Sequence, residues 1–142
     1  MDAQNLSKYR TKSITSLPDI ADFYVLAQRT IDSLPEKFQI LLDSLCVKVE
    51  NFSDEQTLGS LKIKDKYDLL GLYRGLPVSA KKSEGSVSMP DLIYLYRGPL
   101  IRYARDNGET LEKVVRHVMV HEISYHFGFT DYDVSWAEQT ST

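Results

Sequence analysis

The segment from His121 to Asp131 reads HEISYHFGFTD and carries a histidine, a glutamate, a glycine and an aspartate at spacings suited to metal chemistry. On an α-helix, side chains four residues apart lie above one another, so the pattern HExxH sets two imidazoles where they can grip one zinc ion. The glutamate between them lies beside the water that zinc acidifies towards a pKa of ~7. It can take that water's proton, and the hydroxide then attacks a peptide carbonyl. A glycine three residues after the second histidine lets the chain turn sharply, so that a ligand three residues further on can return to the metal. Counted from His121, Glu122 holds the base position, Gly128 the turn and Asp131 the third-ligand position.

The second-histidine position is occupied by Tyr125. His126 follows it and is rotated by about 100° around the helix, so it is no simple replacement. His117 precedes His121 by four residues and shares its face, which offers a shifted pair, His117 with His121, that leaves Glu122 in place. Tyr125 is a second option through its phenolate, although a pKa near ~10 makes that anion costly unless a metal compensates. Both options remain open at the level of sequence.

The elements that must position these groups are legible from periodicity. Ser16, Pro18 and Asp19 look like a helix start, after which Ile20, Phe23, Tyr24, Ala27 and Ile31 recur at helical spacing. Ser33 and Glu36 have capping-box spacing around Pro35, and Phe38, Leu41, Leu42 and Leu45 form a second apolar stripe. From Cys46, the alternation of Val47 and Val49 suits a short strand, while the stretch from SDEQT to Lys66 is ambiguous. Leu69 to Gly75 (LLGLYRG) and Asp91 to Arg97 (DLIYLYR) read as two further strands, with Lys81 to Ser86 as an exposed turn and a hairpin between them. Gly98-Pro99 breaks the last strand, and Asn107-Gly108 marks a turn. Leu111, Val114, Val115, Val118 and Ile123 then define a long helix that stops at Gly128. Helices before and after a small sheet predict one α+β domain over residues 16–142, preceded by a loose stretch at 1–15.

The chain has 142 residues, a common single-domain size, with 17 Lys plus Arg against 20 Asp plus Glu and a formal charge of -3. No run of like charge suggests a nucleic-acid partner. Cys46 is the only cysteine, which excludes an intrachain disulfide and thiolate zinc spacings. The first fifteen residues lack the apolar core of a signal peptide, and no apolar run approaches the ~20 residues of a membrane span. These features point to a soluble, cytoplasmic protein. There is neither a Walker phosphate loop nor a dinucleotide-binding glycine fingerprint, so no nucleotide cofactor is expected.

The segment HEISYHFGFTD, with DLLGLYRG at Asp68 to Gly75 and PDLIYLYRGPL at Pro90 to Leu100, resembles the small bacterial zincin-like metallopeptidase family, also called minimal metalloproteases. The helix of that family usually reads HExxHHFGxxD. The resemblance implies a compact α+β zincin-like single domain: N-terminal helices, a small sheet, and a long motif-bearing helix near the C-terminus, with a cleft beside one strand where peptide backbone docks. It also implies zinc, a peptide or protein substrate, His121 as first ligand, Glu122 as general base and Asp131 as third ligand. Tyr125 breaks the pattern at the second ligand.

Each group also has a plainer role. Asp131 with Thr130 could cap a short final helix through Val134 and Ala137, and Gly128 could serve only as a helix stop. His117 and His126 stand where surface or supporting histidines are common. Tyr73, Tyr94 and Tyr96 suit packing across a sheet, and Arg74 and Arg97 suit solvated strand ends. Two functions follow: a zinc-dependent peptidase using Glu122, or a noncatalytic domain that keeps the cleft to bind extended peptides. Tyr125 favours the second. Retention of Glu122 favours the first, because a buried carboxylate with no metal to serve is costly.

Overall fold

The structure is a computed structural model, and its described residues are 17–39, 42, 45–75 and 91–127. Helix α1 (Ile20–Ser33) opens on a capping box. The Asp19 side chain accepts the Asp22 N–H at 2.9 Å, and the Asp22 side chain accepts the Asp19 N–H at 3.0 Å. The start expected around Ser16 to Asp19 is thus fixed at Asp19, the last of those residues, by two satisfied donors. Phe23, Leu26, Ala27 and Ile31 are buried on the inner face, and the Tyr24 hydroxyl accepts the Val49 N–H at 3.1 Å. Ser33 closes α1 and donates to the Thr30 carbonyl instead of starting the next helix.

That next helix, α2 (Glu36–Gln39), is one turn long. Leu45, expected on its apolar stripe, begins strand β1 (Leu45–Glu50) instead. Leu45, Val47 and Val49 alternate as buried residues, so the period of two overrides the helical spacing seen from Phe38. The ambiguous stretch that follows holds a short helix, α3 (Glu55–Ser60), and a 3₁₀ turn (Lys66–Asp68), each started by an aspartate: Asp54 and Asp65.

Strands β2 (Gly71–Arg74) and β3 (Asp91–Tyr96) lie where periodicity predicts. They pair antiparallel, Tyr73 facing Ile93, as a hairpin requires; the turn expected at Lys81 to Ser86 lies outside the described residues. Strand β1 pairs with β3 in parallel, Val47 facing Ile93, so the order is β1-β3-β2 with β2 at an edge.

Gly98-Pro99, expected only to end β3, opens a helix, α4 (Arg97–Asp106). Proline is tolerated in a first turn, where its missing N–H would have had no intrahelical partner. Gly98 lets the Phe52 ring pack close, since a Cβ there would stand 2.4 Å from Phe52 Cζ and the ring would have to shift. The turn at Asn107-Gly108 is as expected, with Gly108 at φ 62°. Thr110 then accepts the Lys113 N–H and starts α5 (Leu111–Phe127). Val114, Val115, Met119, Val120 and Ile123 bury the inner face of α5 against α1 and the sheet. Among the described residues no helix is long and apolar enough to cross a membrane.

Candidate active site

Helix α5 lies against β2, and glycine allows the close approach. A Cβ on Gly71 would fall 2.6 Å from Val118 Cγ1 and 3.0 Å from the Tyr94 carbonyl oxygen. One turn beyond Val118, the Glu122 Oε2 atom accepts the backbone N–H of Tyr73 at 2.9 Å. Two strand residues advance about 6.8 Å and four helix residues about 6 Å, so the two elements run side by side over this stretch.

Glu122 is half-buried. Burial pushes its carboxyl above the ordinary value, and the neighbouring His121 and the Tyr73 N–H pull the other way. A carboxylate placed so is a stronger proton acceptor than an exposed one.

His117, His121 and Tyr125 lie one turn apart along the exposed side of α5, as helical spacing requires. Tyr125 is 59% exposed, and its ring rests on that of Tyr73 with centroids 5.2 Å apart and a tilt of 59°. The Tyr73 ring is itself buried. Its hydroxyl bonds the Asp91 carboxylate, and desolvation followed by that negative charge raises the phenol well above its ordinary value. Asp91 is buried at the start of β3, against Gly75. A chain of contacts thus runs from Asp91 through Tyr73 to Tyr125. Behind the motif, the buried Ser124 hydroxyl donates to the His121 carbonyl at 2.6 Å.

Helix α5 and β2 thus bring Glu122 beside His121, with Tyr125 and His117 on adjoining turns. Gly128, Thr130, Asp131, Val134 and Ala137 lie outside the described residues, and so do the side chain of His126 and the N-terminal stretch 1–15, expected to be loose. Among the described residues no three His, Cys, Asp or Glu side chains gather into a metal-binding group. The described donors fit zinc in type, being exposed imidazoles one turn apart beside a carboxylate.

Of the weaker candidates, Arg74 donates to Thr57 Oγ1 at 2.9 Å and lies over the Tyr94 ring, while Arg97 donates to the Pro18 carbonyl. Both serve packing, as do Tyr94 and Tyr96, which stack at 6.0 Å. Sequence reasoning missed the Tyr73 backbone and Asp91 as parts of the site. The only available hint was Asp91 itself, an aspartate opening an apolar strand, since a backbone N–H carries no sequence signal.

No curated protein matches the chain. A family model described as zincin-like metallopeptidase matches residues 42–140, taking in the sheet, α4 and the whole of α5. With most of its length covered and its motif helix set against an edge strand, the chain belongs to the zincin-like metallopeptidase family.

Proposed function

We propose that the protein is a zinc-dependent peptidase that hydrolyses peptide bonds in the cleft between α5 and the edge of β2. His121 and Asp131 would hold the ion, with Tyr125 or His117 as a further donor. The observation that carries this reading is the Glu122 carboxylate: half-buried, raised in pKa, and fixed between His121 and the strand edge. Zinc, when bound, supplies acidification of the attacking water and polarisation of the scissile carbonyl.

The rest falls to the chain's own groups. An extended peptide lies along β2, whose outward backbone offers strand pairing. Glu122 takes one proton from water as the water oxygen joins the carbonyl carbon. It returns that proton to the amide nitrogen as the C–N bond breaks, leaving an amine and a carboxylic acid, whose remaining proton passes to solvent. Tyr125, resting on Tyr73, walls the cleft one turn beyond His121.

A second reading is favoured by Tyr125 itself. A phenol at the second-ligand position, exposed and stacked on Tyr73, suits a domain that binds extended peptides without cleaving them.

Zinc stoichiometry separates the two readings. Full-length protein, Glu122→Gln, Tyr125→Phe and His117→Ala are dialysed against trace zinc and analysed for metal. Near-equimolar zinc in the protein and in Glu122→Gln, lost in one of the other two variants, supports the peptidase and names its remaining ligand. No retained zinc in any of them leaves the peptide-binding domain.

A further inference from the structure

The polar groups of β2 alternate in direction. The Tyr96 N–H donates to the Leu70 carbonyl at 3.0 Å, while Leu72 and Arg74 face Tyr94 and Leu92 in the same phase. Leu70, Leu72 and Arg74 therefore point their N–H and C=O groups at β3, and Gly71 and Tyr73 point theirs the opposite way. Among the described residues that side of β2 is an outer edge of the sheet. The Tyr73 N–H on this edge goes to Glu122. An edge strand is a template for another strand, and an extended peptide pairing there would aim one of its carbonyls at that same N–H. The peptide and Glu122 compete for one donor.

We propose that the bond between Glu122 and Tyr73 is a latch opened by the peptide. Strand pairing at Tyr73 displaces the carboxylate from β2 and releases it towards His121, where a base is needed. The inference rests on the reading of Glu122 as the base and of β2 as the docking edge. It deepens that reading by making the base available only when an extended chain has paired as far as Tyr73. Binding energy gathered along the peptide is thereby converted into readiness for reaction, and a ligand too short to reach Tyr73 leaves the base latched.

The test uses full-length, metal-free protein, so that zinc and turnover play no part, and the blocked peptide acetyl-Val-Thr-Val-Thr-Val-amide as probe. Hydrogen exchange at the Tyr73 amide reports the latch, and titration reports binding. The amide is expected to be protected in the unaltered protein and in Glu122→Gln, whose side-chain oxygen still accepts, and to exchange about tenfold faster or more in Glu122→Ala. Glu122→Ala is expected to bind the peptide about two- to tenfold more tightly than the unaltered protein, because the competitor is gone. Equal or weaker binding by Glu122→Ala overturns the latch, as does absence of binding by all three proteins. Zinc retention and peptide cleavage are read on separate samples. Their loss with the affinity gain intact overturns the peptidase alone, and a working zinc peptidase with no affinity gain overturns the latch alone.

Discussion

The carboxylate of Glu122 accepts the backbone N–H of Tyr73 at 2.9 Å across a sequence separation of 49 residues. This one bond joins the motif helix to the outer side of β2, where Gly71 lets α5 come close. On the proposed reading, base catalysis and peptide docking meet at this contact with the packing of α5 on β2, and each can be disturbed separately.

Burial holds the Glu122 carboxyl above its ordinary value of 4.5, against the pull of His121 and the Tyr73 N–H. A raised folded-state pKa means that the folded protein holds this proton more tightly than the unfolded chain does. The resulting stability is fully present below the unfolded value and is lost as pH rises through the folded one. In metal-free protein, Glu122→Gln is therefore expected to be more stable than the unaltered chain at neutral pH, with the difference vanishing below the ordinary value. Urea unfolding on either side of that window checks the sign.

Restoring an imidazole by Tyr125→His is expected to tighten zinc binding by more than the ~10–100-fold that changes outside the ligand shell cost. Competition against a chelator of known affinity measures this. Cleavage of a quenched fluorescent peptide, measured beside it, is expected to rise with zinc occupancy. Unchanged zinc affinity would count against the placement of the site.

Gly71→Ala places a methyl group 2.6 Å from Val118 Cγ1 and 3.0 Å from a backbone carbonyl, neither of which can swing aside cheaply. The expected loss is about 1–3 kcal/mol, the usual cost of overpacking. As α5 is pushed from β2, the Tyr73 amide is expected to lose protection before global unfolding, which hydrogen exchange detects.

Tyr73→Phe keeps the ring against Tyr125 but removes the hydroxyl that bonds Asp91, a carboxylate only 1% exposed. A loss of about 1–3 kcal/mol is expected from the weakened satisfaction of that buried group. Denaturant unfolding measures it. Zinc retention is expected to match that of the unaltered protein, because the change leaves every candidate ligand in place.

Local periodicity was enough for whatever is written in short periods. The turn-separated apolar patterns gave α1, the β2 and β3 strands and α5, and the i, i+4 spacing alone set His117, His121 and Tyr125 on one face. Local signals failed where one residue type serves two purposes. Gly98-Pro99 stops a strand and also suits the first turn of a helix, so α4 was hidden behind it; Leu45 fitted a helical stripe until strand pairing claimed it. Packing of whole elements fixed the rest: β1 joins β3 in parallel with β2 on the far side of β3, the Asp91 carboxylate braces Tyr73, and Glu122 meets the Tyr73 N–H. Those relationships join residues far apart in the chain, the strand pairing and the Glu122 contact through backbone groups that every residue possesses. They arise from the packing of whole elements, whereas sequence spacing reports only which face of an element a side chain occupies.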